Sequence, residues 1–438
     1  MKSGLAIEME PEPRFATIGT VRLFLQMALT LACSIGLFAQ ADFYLKDGDI
    51  VVFYGDSITD QRLYTTFTEA YVLTRFPKLN VRFVHSGWAG DQVDGGAGGP
   101  IDVRLARDVL AYHPTVVTIM LGMNDGRYRA FDPAIFKAYS TGYEHIVKVL
   151  KGNTSNLRIT AIQPSPYDDV TRPPQFEGGY NGVLTRYGSF VQEFAAREHL
   201  QCADLNSSVV AMLLKANATD SASAQKLIPD RVHPAAATHF IMAQALLKAW
   251  NAPAVVSTVE IDAPSHMVRS AVNTSVSVLS DDHDVAWTQI DAALPMPIEK
   301  FPSKELVHLV FSSSDFIDML DREMLTVTGL ANGQYTLRID GQTVATYSAD
   351  QLGAGVDLAE ADTPMSKQAL EVLQLIYRHN VLHWASWHLI QTSFDTEKPP
   401  SMDRAITALD TLENEVVAMA RSKAQPRAHR YELLPVQD

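Results

Sequence analysis

Between residues 50 and 250, short apolar runs alternate with stretches of helical spacing. The run Ile50–Tyr54 is apolar at every position, as expected for a strand that is buried on both faces of a sheet. Four further runs predict strands: Val81–Val84, Thr115–Leu121, Arg158–Ile162 and Leu200–Leu205. Helices are predicted over Asp132–Lys151, with Asp132 as N-cap and Pro133 at the first helical position, and over Pro234–Trp250, starting at Pro234. This alternation predicts a parallel sheet with helices on both faces.

The pattern changes after Pro253. The turn dipeptides Asn332-Gly333 and Asp340-Gly341 flank the alternating run Tyr335–Ile339, which predicts a β-hairpin. Thr274–Leu279 and Leu325–Thr328 also predict strands, so this part of the chain is expected to be β-rich. Helical spacing returns in Ser366–Ile390 and Met402–Ser422, and the residues from Gln425 onward are expected to fray.

The first 41 residues have the pattern of a secretory signal. Arg14 and Arg22 precede the apolar stretch Leu23–Phe38, and Ala39-Gln40-Ala41 offers small residues for cleavage. An uncleaved membrane anchor is the alternative, because the apolar stretch is close to spanning length. We therefore expect a secreted or periplasmic protein with no membrane span after cleavage of the signal.

A chain of 438 residues predicts two or three domains, at roughly 100–200 residues each. We expect a signal peptide over 1–41, a catalytic domain over 42–252, a β-rich module over 253–362, a helical segment over 363–424 and a flexible tail over 425–438. The formal net charge is -14 at pH 7, and no run of Lys or Arg is present. Because nucleic-acid binders normally carry a basic face, we expect no nucleic-acid partner. The oligomeric state is not predicted by the sequence.

Ser57 is the first candidate catalytic residue. It belongs to Gly55-Asp56-Ser57, which follows the first buried strand directly. In an open parallel sheet, ligands bind beyond the carboxyl ends of the strands, and a helix N-terminus at that edge favours an oxyanion. The alternative is a plain strand-to-helix turn in which a Ser caps the helix.

Two further turns place hydrogen-bond donors at the same edge of the sheet. Gly90 follows the second strand, and Asn124 follows the third. Gly permits a close backbone approach, and Asn offers a side-chain amide. Each turn alone is typical of an ordinary loop. Together with the Ser57 backbone N–H they supply three donors, as an oxyanion hole requires.

Asp230 and His233 lie just before the last helix of this region. A catalytic His needs a partner on one ring nitrogen, which fixes its tautomer and leaves the other nitrogen free as a base. A carboxylate three residues earlier in the same loop can provide that partner. His239 has no such carboxylate, and we expect it to be a surface or packing residue.

Taken in order, Gly55-Asp56-Ser57, Gly90, Gly122-x-Asn124-Asp125 and Asp230-x-x-His233 resemble the GDSL or SGNH serine hydrolase superfamily of esterases and lipases. The resemblance covers residues 46–250 and implies a three-layer α/β/α, flavodoxin-like fold with a five-stranded parallel sheet. By position, Ser57 resembles the nucleophile, His233 the base and Asp230 its orienting acid. The backbone N–H groups of Ser57 and Gly90 and the amide of Asn124 resemble the oxyanion donors.

Two residues depart from a typical member of that family, and both bear on the shape of the acyl pocket. His85 stands where Asn is common, and Trp88 is bulky for a neighbour of the oxyanion Gly. A GxSxG motif is absent from the sequence, so the α/β-hydrolase family is not indicated.

The family implies hydrolysis of acyl esters through an acyl-enzyme, without cofactor or metal. A small acyl ester or an acetylated carbohydrate is the expected substrate. A lipase, lysophospholipase or thioesterase is the alternative enzyme, and a carbohydrate-binding or scaffolding protein on a hydrolase fold is the alternative from another class. Asp281-Asp282-His283-Asp284 and the pair His379/His383 carry possible metal ligands, but a solvated turn and helix packing are their expected roles.

Overall fold

The five strands predicted between residues 50 and 250 form one parallel sheet. In the computed structural model, which describes residues 42–280, 285–299, 303–394 and 397–436, they are β1 (Ile50–Gly55), β2 (Arg82–Gly87), β3 (Val116–Met120), β4 (Arg158–Ile162) and β5 (Gln201–Ala203). Their order in the sheet is β2-β1-β3-β4-β5. The expected signal region, residues 1–41, and the possible cation loop, residues 281–284, lie outside the described residues.

Helices flank this sheet, so the predicted α/β fold is confirmed. They are α1 (Ser57–Asp60), α2 (Leu63–Arg75), α3 (Ile101–Asp108), α4 (Pro133–Asn153), α5 (Gly179–Glu198), α6 (Leu205–Thr219), α7 (Ser221–Ala224) and α8 (Ala236–Ala249), with a 3₁₀ turn at Leu110–Tyr112. A small two-stranded ribbon pairs Gly95–Gly96 with Gly99–Pro100. Asp132 caps α4 as predicted, because its carboxylate accepts the backbone N–H groups of Ala134 and Ile135 at 2.8 and 3.3 Å.

The predicted start of the last helix at Pro234 is wrong. Helix α8 begins at Ala236, and Ala235 before it is extended, with φ -71° and ψ 160°. Its backbone N–H donates to Leu227 O at 2.8 Å, which keeps the chain extended for two more residues. Pro234 therefore belongs to the loop that carries His233, not to the helix.

The β-rich part that follows contains two further sheets. Its strands are β6 (Val255–Asp262), β7 (Met267–Val272), β8 (Thr274–Ser280), β9 (Val285–Asp291), β10 (Arg322–Thr328), β11 (Gln334–Ile339), β12 (Gln342–Ser348), β13 (Val356–Asp357) and β14 (Ala428–Pro435). One sheet has the order β8-β9-β14-β11-β12 and the other β13-β10-β6-β7. The predicted hairpin is β11–β12, and Asp340 and Gly341 form its turn with φ of 49° and 76°.

Strand β14 corrects the expectation of a frayed end. It pairs with β9 on one side and β11 on the other, so it lies at the centre of its sheet. Tyr431 is buried and stacks on Trp287 with ring centroids 5.0 Å apart. This burial explains why the segment is ordered, since apolar contacts and two sets of ladder hydrogen bonds offset its conformational entropy. Trp287 is fully buried and cannot serve as an exposed carbohydrate platform.

Most helices from the second half of the chain pack on the core of the first half, whereas Leu352 of the short helix Ala349–Ala354 packs in the core of the β-rich part. The helices of the second half are α9 (Lys304–Ser312), α10 (Phe316–Leu320), α11 (Ala349–Ala354), α12 (Pro364–Trp384) and α13 (Met402–Lys423), and α12 continues through the π-helical stretch Ala385–Gln391 into a 3₁₀ turn at Thr392–Phe394. Phe240 of α8 stacks on Phe67 of α2, with ring centroids 4.0 Å apart, and meets Phe311 and Phe316 edge-on. None of the helices in the described ranges is both long and apolar enough to cross a membrane.

Candidate active site

Ser57 lies at the carboxyl end of β1, where the strand turns directly into α1. The Asp56 carboxylate holds this turn by accepting the Ile58 backbone N–H at 3.0 Å. Burial raises the pKa of Asp56 to about 7 in spite of that hydrogen bond. A side chain at Gly55 would place its Cβ 2.7 Å from Met120 O, so the close approach of β1 and β3 requires glycine. Ser57 is half-buried and stays accessible at the sheet edge.

The His233 ring faces the Ser57 hydroxyl. Its Nε2 lies 2.9 Å from Ser57 Oγ, and its Nδ1 lies 2.6 Å from Asp230 Oδ2. An ionised carboxylate only accepts hydrogen bonds, so Nδ1 carries the ring proton and donates it to Asp230. Nε2 then has a free lone pair, which accepts the Ser57 hydroxyl hydrogen. The structure thus brings these three predicted residues into one hydrogen-bonded chain.

The Asp230 carboxylate is bound by its own loop. Oδ1 accepts the backbone N–H groups of Val232 at 2.9 Å and of His233 at 2.7 Å, while Oδ2 accepts the His233 ring. Partial burial acts to raise the pKa of Asp230, but the hydrogen bonds from His233 and Val232 outweigh it and lower that pKa. Arg231 adopts a φ of 73°, and this left-handed residue curls the loop back on itself. Asp230 therefore stays ionised and fixed in orientation.

The predicted oxyanion donors sit on two neighbouring loops. Gly90 has a φ of 80° and lies in an exposed turn after β2, with open space where a side chain would be. The Asn124 side chain donates from Nδ2 to Asp91 O at 3.0 Å, which ties its amide to the residue after Gly90. An amide nitrogen has two hydrogens, so this bond leaves one for a ligand.

Tyr128 is a site residue that the sequence analysis missed. Its hydroxyl donates to Asn124 Oδ1 at 2.8 Å, so the Asn124 amide is held at both ends. Because Asp91 O can only accept, the end of the Asn124 amide that faces it is the NH₂ group, and Oδ1 is left to accept from Tyr128. Tyr128 has a φ of 51° and belongs to no sequence motif. Its hydroxyl reaches Asn124 because the chain turns back between these two residues, which are four positions apart.

A buried ionic network supports the Gly90 loop and was also missed. Arg104 of α3 donates from Nε to Asp91 Oδ2 at 2.8 Å and from Nη2 to Ser86 O at 3.1 Å, and it also pairs with Asp108. All three ionic side chains are fully buried. Each charge has an opposite partner, and Asp91 Oδ1 is the one carboxylate oxygen of Asp91 and Asp108 without a hydrogen-bond partner among the described residues. The i,i+4 spacing of Arg104 and Asp108 was the only signal in the sequence.

The C-terminal helical segment reaches the loop that carries Gly90. Trp88 stacks on His388 with ring centroids 4.1 Å apart and meets Trp387 edge-on at 5.5 Å. Arg62, just after α1, lies over the Trp384 ring at 5.1 Å. The bulk of Trp88 is therefore accommodated by packing against helix residues more than 290 positions later in the chain.

His85 and His239 both lie in the protein interior. His85 points from β2 toward α2, with Nδ1 2.8 Å from Thr65 Oγ1. His239 accepts the Tyr64 backbone N–H at Nδ1, at 3.2 Å, and burial lowers its pKa to about 3. As expected from the sequence, His239 is a packing residue.

Comparison with known proteins identifies the family to which this region is similar. The family model described as GDSL-like lipase/acylhydrolase matches residues 53–240, which span β1 to α8 and hold all five predicted site residues. Residues 53–240 form a GDSL-like lipase/acylhydrolase domain. The family supports hydrolysis of ester bonds as the activity of this domain.

Two relatives extend the comparison. The solved structure of a gut microbial diltiazem-metabolizing enzyme matches with a TM-score of 0.78 and 25% sequence identity, covering 91% of this chain and 100% of that chain. Because the match covers nearly the whole chain, the β-rich and C-terminal helical parts share its architecture. An acetylxylan esterase from Geobacillus stearothermophilus is 26% identical over 226 residues, covering 47% of this chain and 94% of that protein.

Proposed function

We propose that this chain is a serine esterase that removes small acyl groups, with acetyl esters of an extracellular carbohydrate as its first candidate substrate. The hydrogen-bonded chain from Ser57 through His233 to Asp230 carries the proposal, at 2.9 and 2.6 Å. It contains a nucleophile, a base in the right tautomer and an ionised orienting group. The similarity to an acetylxylan esterase supports acetyl as the acyl group.

The first half-reaction forms an acyl-enzyme on Ser57. His233 Nε2 takes the hydroxyl proton while Ser57 Oγ attacks the ester carbonyl, a step for which general base catalysis contributes about 10²–10⁴-fold. The negative oxygen of the tetrahedral intermediate accepts hydrogen bonds from the backbone N–H groups of Ser57 and Gly90 and from the Asn124 amide. Protonated His233 then donates its proton to the leaving alcohol, and the C–O bond to the alcohol breaks.

Water completes the reaction. His233 removes a proton from a water molecule, and the resulting oxygen attacks the acyl-enzyme carbonyl through a second tetrahedral intermediate. The proton returns to Ser57 Oγ as the acid leaves. Asp230 stays ionised throughout and stabilises the imidazolium that forms in each half-reaction.

The proposal also includes export of the protein from the cytoplasm. The apolar stretch with a small-residue cleavage pattern before Asp42 supports a secreted or periplasmic enzyme. An exported deacetylase would act on carbohydrates outside the cytoplasm. N-terminal sequencing of the protein recovered from the culture medium or periplasm tests this part: a mature chain that begins near Asp42 is expected, and a membrane-bound chain that keeps residues 1–41 would contradict it.

The decisive experiment compares Ser57→Ala with the exposed control Ser189→Ala. We expect Ser57→Ala to keep its melting temperature and to lose p-nitrophenyl acetate hydrolysis by about 10³-fold or more. Ser189→Ala should behave as wild type. A folded Ser57→Ala protein with wild-type turnover would end the assignment of Ser57 as nucleophile.

Substrate class is tested by a chain-length series of p-nitrophenyl esters beside acetylated xylan and diltiazem, which carries an acetate ester. A sharp preference for acetate and release of acetate from the polymer support the deacetylase. An optimum at long acyl chains would indicate a lipase instead. Hydrolysis of none of these esters would favour a binding or scaffolding protein.

A further inference from the structure

A second cluster of ionisable side chains joins the C-terminal segment to the catalytic domain. Glu69 of α2 lies between two histidines, with Oε2 3.1 Å from His85 Nε2 and Oε1 2.8 Å from His379 Nε2. His85 belongs to β2 and His379 to α12. All three side chains are at most 4% exposed. The proposed esterase mechanism uses none of them.

These three residues present ligand atoms to one point. The two ring nitrogens and a Glu69 oxygen all lie within 4.8 Å of one another. Zinc bonds of about 2.0–2.2 Å in tetrahedral geometry need ligand atoms roughly 3–4 Å apart. The two contacts of Glu69, at 2.8 and 3.1 Å, lie at the lower end of that range, and a separation as wide as the 4.8 Å limit would close by roughly an ångström on metal binding.

Each histidine also has a partner at its other ring nitrogen. His85 Nδ1 lies 2.8 Å from Thr65 Oγ1, and His379 Nδ1 lies 3.5 Å from Glu413 Oε1. In the metal-free chain each Nε2 carries a hydrogen that points at Glu69, but a hydroxyl and a carboxylate can both accept an Nδ1–H, so each Nε2 can give up its hydrogen and bind a metal with its lone pair. Metal-binding histidines in proteins are oriented by second partners of this kind.

A cavity gives the cluster room and access. It has a volume of about 420 Å³, and its lining includes Glu69, His379, Glu413 and Arg421. A space of this size holds water that can complete a coordination shell. Two carboxylates, those of Glu69 and Glu413, are buried here on either side of His379. A protonated His379 compensates their charge in the metal-free chain, and a bound cation would take over that role.

We propose that Glu69, His85 and His379 bind one divalent transition-metal ion, with zinc as the first candidate and water from the cavity as a further ligand. The ion takes the place of the N–H hydrogens that the two rings direct at Glu69. Carboxylate and imidazole together suit zinc better than calcium or magnesium, which prefer oxygen ligands. Because the ligands come from α2, β2 and α12, the ion would cross-link the C-terminal segment to the catalytic domain.

The experiment titrates ZnCl₂ into the full chain after treatment with chelator. Isothermal calorimetry and elemental analysis after gel filtration are expected to give one zinc per chain. The melting temperature should rise with zinc concentration, since a ligand that binds only the folded state stabilises it. Hydrolysis of p-nitrophenyl acetate should stay unchanged. If the esterase proposal fails, these metal measurements remain interpretable, because they do not depend on activity.

Four variants locate the zinc. His379→Ala should lose the bound zinc and the rise in melting temperature, and Glu413→Gln, which keeps all three ligands, should weaken binding about 10–100-fold. His308→Ala on the exposed face of α9 and His283→Ala in the possible cation loop should leave binding unchanged. Wild-type protein without stoichiometric zinc would overturn the proposal, as would binding that survives in His379→Ala or is lost in His283→Ala.

Should His379→Ala fail to fold, zinc K-edge absorption spectroscopy of the loaded wild-type protein keeps the test decisive. Two imidazole nitrogens and one or two oxygens in the first coordination shell are expected. A shell built mostly of oxygen would contradict the proposed ligand set.

Discussion

Replacing Asp230 with Asn should damage the enzyme more than replacing it with Ala. The reason is that both carboxylate oxygens are in use: Oδ1 accepts two backbone N–H groups, and Oδ2 accepts the His233 ring N–H. An Asn has only one oxygen. If that oxygen stays on the backbone, its NH₂ group faces His233 Nδ1, which must then become the acceptor. Nε2 would carry the proton toward Ser57, and His233 could no longer act as a base.

The magnitudes follow from the number of hydrogen bonds. Of the three hydrogen bonds that Asp230→Ala removes, the one from the His233 ring bears on catalysis; as a bond to a charged group it is worth about 1.5–3 kcal/mol, which corresponds to a fall of roughly 10–150-fold in kcat/KM. In Asp230→Asn, the tautomer with the proton on His233 Nδ1 forms only if the amide oxygen turns toward His233. The NH₂ group then faces the backbone N–H groups of Val232 and His233. Giving up those two bonds costs about 1–3 kcal/mol, or a further 5–150-fold. The Asp230 side chain is 55% exposed, so water moderates the loss in the Ala variant.

The assay is kcat/KM for p-nitrophenyl acetate at neutral pH, with melting temperatures measured on both variants. The expected order is wild type, then Asp230→Ala, then Asp230→Asn. A well-folded Asp230→Asn variant that is as active as Asp230→Ala, or more active, would refute the reasoning about the tautomer.

Four other predictions test the site and its scaffold. Asn124→Ala should lower kcat about 10²–10³-fold with little change in melting temperature, and a collapsed fold would make Asn124 structural. Tyr128→Phe, which removes one hydrogen bond to the Asn124 amide, should lower kcat about 2–10-fold in the same assay; an unchanged kcat would contradict its positioning role. Phe240→Ala should cost about 3–5 kcal/mol of unfolding free energy in denaturant titrations, because its ring is buried among three others. Burial raises the pKa of Asp125 to about 7 from about 4 in the unfolded chain, so its stabilising effect is complete below pH ~4 and is lost as the pH rises through 7. Asp125→Asn should flatten that part of the stability profile, and an equally steep profile would count against it.

The catalytic sheet could be predicted because its signals are local. Each of its strands is a short apolar run between turn residues, and the observed bounds of β4 are those predicted. The convergence of Ser57 and His233 followed from the position of their motifs at strand ends and loop starts. These features need no knowledge of distant parts of the chain.

The missed features depend on contacts between distant segments. Arg104 supports the Gly90 loop, and Trp387 meets Trp88, only because the fold brings separate elements together. Strand β14 alternates buried and exposed residues, but its buried positions begin with His429, so the apolar pattern is weak. Its pairing with β9 and β11 supplies the stabilisation that the local sequence lacks.

The central position of β14 also affects how the chain can mature. Until residues 428–435 have been synthesised, β9 and β11 each keep an open edge, and nothing joins the two halves of their sheet. Open strand edges are templates for pairing with other molecules. A nascent chain therefore passes through a stage in which the parallel sheet β1–β5 can already form, while the edges of β9 and β11 are still unpaired because β14 has not yet been synthesised. Chaperone binding and aggregation during production should depend on how long these two edges stay unpaired. A bulky fusion placed near residue 428 would prolong that time.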